Sequence, residues 1–235
     1  MKAQAKNETT NNLPAQPWTP VMAIPAAAAN DVGLGNENVR PEDQMIPRLS
    51  LLQAMSPEVT MGHEKFIDGA RPGLLCNSLT DELYSAVYCA NLNFKVEFVV
   101  WRKREIGGGL YGSFNTEQEA VEALNADPEV KDANHYDVQE THTHALLLLD
   151  ENGQPTTPIL CSMTSSKLKV SRQWNSMPQL REASRFASIW ALSGKPVAGP
   201  QGTYFNLSVE FAGFASDELY TSIKKTYTDL GFDKH

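Results

Sequence analysis

The sequence predicts a mainly β protein, an α+β fold in which helices are inserted into and appended to a small, mostly antiparallel barrel. Phe94, Val96, Phe98 and Val100 alternate with Lys95, Glu97, Val99 and Trp101 in a stretch dense in aromatic and β-branched residues, a pattern typical of a strand. An Asn152-Gly153 pair between two apolar runs is a strong hairpin signal. The predicted segments also lack the regular alternation of strand and helix that a parallel sheet requires. Together these patterns favour antiparallel strands.

The N-terminal segment, residues 1–44, is predicted to be a flexible, low-complexity tail. It is rich in Ala, Asn, Pro and Gly and has no sustained hydrophobic periodicity. Such a segment cannot bury enough apolar surface to offset the entropy lost when a chain becomes ordered. Trp18 is the exception, because a lone tryptophan suits docking onto another surface. Residues 45–235 are then expected to form a single domain.

The domain is predicted to open with a short extended piece and one helical turn, punctuated by prolines. Strands follow in residues 70–106, where aromatic and β-branched side chains are dense. The stretch "IGGGLYGSF" then forms a glycine-rich turn or loop. A helical insertion is predicted near 116–132, because Thr116 and Glu119 have capping-box spacing.

In the second half of the domain, "YDVQETHTHALLLLD" and "TTPILCSM" are predicted to be the two strands of the hairpin. The stretch "QLREASRFASIWALSG" is predicted to be a helix, because its apolar residues have helical spacing and Gly194 suits a helix end. "GTYFNLSVEFAGF" is an alternating strand, and Ser216 caps a C-terminal helix near 216–230. The sum is five to seven strands and three helices.

Composition limits the classes of protein. The net charge of −8 argues against indiscriminate binding to nucleic acid or membrane, although it leaves room for a local basic groove. No apolar run approaches the roughly 18 residues of a membrane span, and no secretory signal follows Lys2 and Lys6. Cys76, Cys89 and Cys161 form no closely spaced set, so a reducing, cytoplasmic setting is expected.

Residues 162–176, "SMTSSKLKVSRQWNS", reverse the charge of the chain locally. They contain Lys167, Lys169, Arg172 and Trp174 but no acid. On an extended backbone the two lysines would point the same way. Cations and hydroxyls contact phosphates, and an indole offers a base a stacking platform. The alternative is a solvated surface with a buried tryptophan.

The same charge reversal continues into the helix predicted next. There Arg181 and Arg185 are four residues apart and would share one helix face. From residue 167 to residue 185 the chain has five cations and one acid, Glu182. We therefore include both arginines among the candidate nucleic-acid contacts.

A second stretch, "FVVWRKREIGGGLYGSF", repeats the combination of cations and aromatic side chains. It supplies five further candidates: Trp101, Arg102, Lys103, Arg104 and Tyr111. Loops that join barrel strands often wrap nucleic acid, and glycines let backbone amides approach phosphates. The stretch is not a Walker loop, because no Lys-Ser or Lys-Thr follows its glycines. The alternative is a flexible hairpin with charges at its base.

No catalytic or metal-binding pattern emerges. His142 and His144 alternate on a predicted strand and are a conceivable metal pair, but no Cys-x-x-Cys supplies further ligands. We therefore favour ordinary polar strand residues. The chain has no Gly-x-Ser-x-Gly elbow, and its cysteines lie in no telling motif. The expectation is a protein that is not an enzyme and has neither a metal nor another cofactor.

The ordered part of the chain resembles single-stranded DNA-binding proteins encoded among the replication genes of tailed bacteriophages. The resemblance covers roughly residues 45–230 and is carried by "IPRLSLLQAMSPEV", "VVWRKREIGGGLYG", "HALLLLDENGQPTTPILCSMTSSKLKVSRQWNS", "RFASIW" and "GTYFNLSVEF". It implies an OB-fold-like barrel that coats single strands during replication or recombination. It would place the DNA contacts at residues 101–104, Tyr111 and residues 167–174. Such proteins commonly end in an acidic tail that recruits replication partners, and the ending "YTDLGFDKH", with only Asp229 and Asp233 as acids, leads us to expect that this tail is absent or rudimentary here.

Three functional hypotheses follow. The first is sequence-independent binding of single-stranded DNA in the host-cell cytoplasm, with replication or recombination proteins as further partners and no membrane association. The second is a phage structural or host-interaction protein that binds no nucleic acid, in keeping with the acidic composition. The third, the weakest, is a metal-dependent enzyme that uses His142 and His144. The sequence is compatible with an oligomer.

Overall fold

The computed structural model describes residues 25–28, 31, 33–40, 43, 45–199 and 202–234. The chain divides into two units, Met1–Gln44 and Met45–His235. In the first unit the described residues form one 3₁₀ turn, Ala26–Ala28, and further turns. Trp18 lies outside the described residues, so the interpretation of the tail stays a prediction.

The described part of the second unit contains nine strands and three α-helices. The strands are β1 Leu49–Leu51, β2 Leu75–Asn77, β3 Leu83–Tyr84, β4 Ala86–Arg102, β5 Leu110–Phe114, β6 Tyr136–Leu149, β7 Pro155–Thr164, β8 Ser188–Gly199 and β9 Gly202–Phe214. The helices are α1 Glu117–Ala126, α2 Lys167–Leu180 and α3 Asp217–Asp229. The prediction of a mainly β, α+β protein is confirmed.

All strands pair antiparallel in two sheets. The small sheet has the order β1-β2-β3, and the large sheet has the order β7-β6-β4-β8-β9, with β5 beside the distal half of β4. Among the described residues these ladders do not close into a barrel, so β7 and β9 are the outer edges, and β5, which pairs only with β4, is a further edge strand.

Segment 47–53 forms hydrogen bonds to both outer edge strands of the large sheet, β7 and β9. Leu160 of β7 donates its backbone N–H to Pro47 at 2.9 Å. On β9, the Gln53 side-chain amide donates to the Phe205 carbonyl at 2.9 Å and accepts from its N–H at 3.0 Å. The edge amides are therefore partly covered, which limits unwanted strand pairing.

Local sequence signals place several elements correctly. The Thr116 hydroxyl caps α1 by accepting from the Glu119 N–H at 3.1 Å. The Ser216 hydroxyl caps α3 by accepting from the Leu219 N–H at 3.3 Å. Gly153 has a φ of 74°, the left-handed conformation that the hairpin turn between β6 and β7 requires.

Two predictions of secondary structure are wrong. The lysines at 167 and 169 lie on helix α2, because Val170, Trp174 and Met177 recur at helical spacing and pack into the core. Residues 188–194, predicted as helix, belong to strand β8. This strand is covered on both faces, so its apolar run has no alternation to distinguish it from a buried helix.

Three hydrophobic clusters fix the layers of the domain. On one face of the large sheet, a cluster around Trp174 and Trp190 joins α2 and the small sheet to it. On the opposite face, Ile223 of α3 belongs to a cluster with Ala90 and Leu92 of β4 and Ala145 and Leu147 of β6. The third cluster holds α1 against Val100 near the distal end of β4. On the α3 side of the sheet, the outward-facing residues between positions 95 and 101 of β4, and those paired with them on β6, belong to none of these three clusters.

Candidate nucleic-acid interface

The α3-side face of the large sheet is mostly polar where residues 95–101 of β4 pair with residues 137–143 of β6. We call it the polar sheet face and define it by Lys95, Glu97, Val99, Trp101, Asp137, Gln139, Thr141, Thr143, Ser162 and Thr164. Strand register places these residues together: Lys95 lies opposite Thr143, and Thr143 lies opposite Ser162. Directly paired residues share a face, so the surface crosses three strands.

Trp101 provides an aromatic surface at one end of this face. The side chain is 43% exposed, in contrast to Trp174 and Trp190, which are fully buried. It pairs across the ladder with Asp137, and the next residue on its side of the sheet is Lys103. An exposed indole with a cation beside it can stack on an unpaired base.

The cations of the polar sheet face pair only weakly with neighbouring acids. Lys95 lies 2.9 Å from Glu97, and Lys103 lies 3.5 Å from Asp137. Exposed pairs of this kind contribute only about 0–1 kcal/mol. Both lysines can therefore exchange a carboxylate for a phosphate at little cost.

The structure brings only some of the residues predicted around Trp101 to the same side of the sheet. Arg104 is exposed in a 3₁₀ turn, Arg104–Ile106, beside Gly107 with φ 97°. Arg102 extends to the opposite side of the sheet, where its guanidinium lies 5.9 Å from the centre of the Tyr111 ring. The Tyr111 hydroxyl donates to Asp127 at 2.9 Å, which attaches the ring to α1. Trp101, Tyr111 and the neighbouring cations all stay candidates, with Tyr111 half-buried.

Helix α2 presents its cations in a different way from the extended arrangement that the sequence suggested. Lys169 and Arg172 are exposed and three residues apart, so they share one side of the helix. Arg172 donates to both oxygens of Glu140, at 3.1 and 3.2 Å. Lys167, at the first position of the helix, lines a cavity beside β7.

Trp174 cannot offer a stacking platform to a base in this conformation. Its side chain is fully buried. It stacks on His144 with ring centres 4.5 Å apart and meets Trp190 edge-on at 5.9 Å. Trp174 is thus buried, as the alternative interpretation expects, while nucleic-acid binding by the cations around it stays a prediction.

The expectation that Arg181 and Arg185 share a helix face is wrong, because α2 ends before them. The Arg181 guanidinium lies 4.1 Å from the centre of the Phe211 ring and donates to the Met177 carbonyl at 3.1 Å. Arg185 donates to Asn175 at 2.9 Å, and burial lowers the pKa of its guanidinium. Both arginines are held by contacts within the fold.

The two histidines belong to a buried hydrogen-bond network. The Ser171 hydroxyl lies 2.7 Å from His142 Nδ1 and 2.8 Å from His144 Nε2. His142 Nε2 lies 2.9 Å from Glu140, and His144 Nδ1 lies 3.0 Å from the Asn91 amide. No cluster of three or more His, Cys, Asp or Glu side chains is placed to hold a metal in the part of the chain that the structure describes.

The pKa values of His144 and Glu140 are lowered for different reasons. It lowers the pKa of His144 to about 3, with further lowering by the charges of Arg185 and His142, so this imidazole is neutral at pH 7. Burial alone would raise the pKa of Glu140, but hydrogen bonds from His142 and Arg172 outweigh it and lower that pKa. The network orients α2 against β6.

The sequence analysis did not identify two cations, Lys95 and Arg48, that the fold places on or beside the polar sheet face. Lys95 lies on the polar sheet face, and its period-2 relation to Trp101 was a usable signal. Arg48 donates to the Ser162 hydroxyl at 3.2 Å, across a sequence separation of 114 residues. No local pattern marks Arg48, because only the tertiary fold places it beside β7.

Comparisons with known proteins identify the source of the chain. Residues 17–234 match the family model described as Pam3 phage gp34-like protein. Neither the curated proteins nor the solved structures compared with the chain gave a match. Among the described residues, no helix is long and apolar enough to span a membrane. The family match confirms the bacteriophage origin that the resemblance implies, while DNA binding stays a prediction. The chain therefore belongs to the Pam3 phage gp34-like family of bacteriophage proteins.

Proposed function

We propose that this phage protein binds single-stranded DNA without sequence preference during replication or recombination, in the host-cell cytoplasm. The observation that carries the proposal is the exposed indole of Trp101 on the polar sheet face, with Lys95 and Lys103 on the same side. Arg48 lies at the opposite end of this face, beside Ser162. An extended strand lying between these two ends would meet cations, hydroxyls and an aromatic ring.

Affinity would come from two sources. Phosphates displace the weakly paired carboxylates from Lys95 and Lys103 and release their own counterions, which makes binding depend on salt. Stacking of a base on Trp101 would add about 1–3 kcal/mol. Elsewhere the net charge of −8 disfavours adhesion to the more highly charged duplex.

The OB-fold-like barrel is the more detailed part of the proposal. A five-stranded OB barrel is itself partly open, and it binds oligonucleotides on a strand face. Here segment 47–53 connects the two edge strands through Pro47 and Gln53, which supports a barrel-like curvature. Binding across the polar sheet face does not require the hydrogen-bond ladder to close.

The direct test is fluorescence anisotropy of a labelled oligo-dT strand at low and moderate salt, with a duplex of equal length as control. The proposal expects tight single-strand binding that weakens with salt. The variant K95Q/K103Q should lower the salt slope by about 0.7 for each phosphate that it no longer neutralises. K224Q, which removes an exposed lysine from α3, is the matched control. No binding of oligo-dT at low salt would reject the proposal.

A protein-binding role is the second candidate, favoured by a separate groove. This groove has a volume of about 790 Å³ and lies between the small sheet and the hairpin of β6 and β7. The exposed side chains of Leu79 and Tyr88 contribute to it, and its charged residues are all acids: Glu82, Asp150 and Glu151. A partner segment with apolar and cationic side chains would complement it.

A further inference from the structure

A small cavity lies where β1, β7 and the first turn of α2 meet. Its volume is about 200 Å³. Arg48, Ser50, Ser162 and Lys167 supply its polar lining, and Leu49, Leu51, Cys161 and Leu207 supply the rest. No acidic side chain lines it, although acids outnumber cations in the chain by 28 to 20.

The two cations of this cavity have no carboxylate partner in the part of the chain that the structure describes. Arg48 donates from its guanidinium to the Ser162 hydroxyl, and neither it nor Lys167 forms an ion pair with any described residue. Lysines elsewhere in the domain, such as Lys95 and Lys225, do have carboxylate partners. Two unneutralised cations facing one cavity repel each other unless an anion lies between them.

Two further features favour an anion here. Lys167 is the first residue of the 14-residue helix α2, whose N-terminal end carries partial positive charge. The preceding Ser166 makes no side-chain cap at this end, and the Leu168 N–H donates to the Ser165 carbonyl at 3.0 Å. Burial raises the pKa of the Cys161 thiol, which also lines the cavity, to about 12, and the charge of Lys167 counteracts part of this shift.

We propose that this Arg48–Lys167 pocket binds a phosphate group. A guanidinium, an ammonium and two hydroxyls offer donors from several directions, which suits a tetrahedral, multiply charged anion. A planar carboxylate would be satisfied by the arginine alone. The pocket is smaller than the roughly 300–1,000 Å³ of pockets that enclose whole organic ligands, so it accepts the phosphate and leaves an attached group outside.

The phosphate has two sources: free inorganic phosphate or a backbone phosphate of single-stranded DNA. Ser162 belongs both to this pocket and to the polar sheet face, so a strand that crosses the face from Trp101 would place a phosphate here. That second source rests on the proposed function. Binding of free phosphate does not.

The test separates the two. Isothermal titration calorimetry with inorganic phosphate, against sodium chloride of equal ionic strength, measures the pocket alone. We expect saturable binding that R48Q and K167Q each weaken by about tenfold or more, because each removes charge-assisted hydrogen bonds. K224Q should leave it unchanged. Absence of saturable phosphate binding in the unmodified protein, or equal binding by all variants, would overturn the pocket.

A second arm repeats the oligo-dT titration with the same variants after circular dichroism confirms that they fold. Weaker DNA binding by R48Q and K167Q, together with abolished phosphate binding, supports both proposals. Phosphate binding without any DNA binding supports the pocket and rejects the proposed function. If the unmodified protein binds no phosphate and all variants bind oligo-dT equally well, the pocket is rejected and the proposed function stands.

Discussion

Two buried serines should respond in opposite ways to the same substitution. Ser171 and Ser188 are both fully buried. The Ser171 hydroxyl has two partners, His142 Nδ1 at 2.7 Å and His144 Nε2 at 2.8 Å. The Ser188 hydroxyl has no hydrogen-bond partner among the described residues. Substitution with alanine removes the same atom at both sites, so the difference isolates the network.

The magnitudes follow from what each hydroxyl leaves behind. S171A leaves two buried ring nitrogens without a partner, and each unsatisfied group costs about 1–3 kcal/mol. We therefore expect the free energy of unfolding to fall by about 2–4 kcal/mol, allowing for partial relaxation. S188A removes a desolvated, unpaired hydroxyl, so the free energy of unfolding should stay constant or rise by up to about 1 kcal/mol.

Urea denaturation followed by tryptophan fluorescence measures both. The midpoint of S171A should shift to lower urea with an unchanged slope, and that of S188A should not decrease. S176A, which removes an exposed hydroxyl from the same helix α2, controls for helix propensity. Equal losses in S171A and S188A would refute the assignment of the network as the element that joins α2 to β6.

Other perturbations test the same account. The folded-state pKa of His144, about 3, lies below its usual value of 6.5, so the unfolded state binds a proton first and stability falls as pH drops through this window. Between pH 7.5 and pH 5 this group alone should cost about 2 kcal/mol, a loss that urea titrations of H144F should not show. G194A should destabilise the fold by more than about 1 kcal/mol, since the new Cβ would clash with the Gly73 backbone carbonyl. G112A is the milder comparison in thermal denaturation, because its Cβ meets only the movable Phe114 ring at 3.1 Å.

The parts of the fold that depend on near neighbours could be predicted from the sequence. The caps at Thr116 and Ser216 and the turn at Gly153 each involve residues at most three positions apart. Strand β8 could not be predicted in this way. Ile189 faces the α3 cluster while Trp190 and Leu192 face the α2 cluster, so its apolar run lacks the alternation that marks a half-buried strand.

The candidate site was predictable only in part. Trp101 and Lys103 share a strand end, so one short stretch brings them together. Composition could not show whether Trp174 is exposed or buried, because the sequence around a tryptophan that stacks on a base can be the same as around one that stacks on a buried ring such as His144. The partnership of Arg48 with Ser162 depends on tertiary structure alone.

The most direct test of the central claim compares two exposed aromatic residues of strand β4. Trp101 lies on the polar sheet face, and Tyr88, 56% exposed, lies 13 residues away, roughly 43 Å along the strand. In anisotropy titrations with oligo-dT, W101A should weaken binding by about 5- to 150-fold, which corresponds to about 1–3 kcal/mol of stacking. Y88A should bind as the unmodified protein does. If W101A binds oligo-dT as tightly as Y88A does, the polar sheet face is not where single-stranded DNA binds.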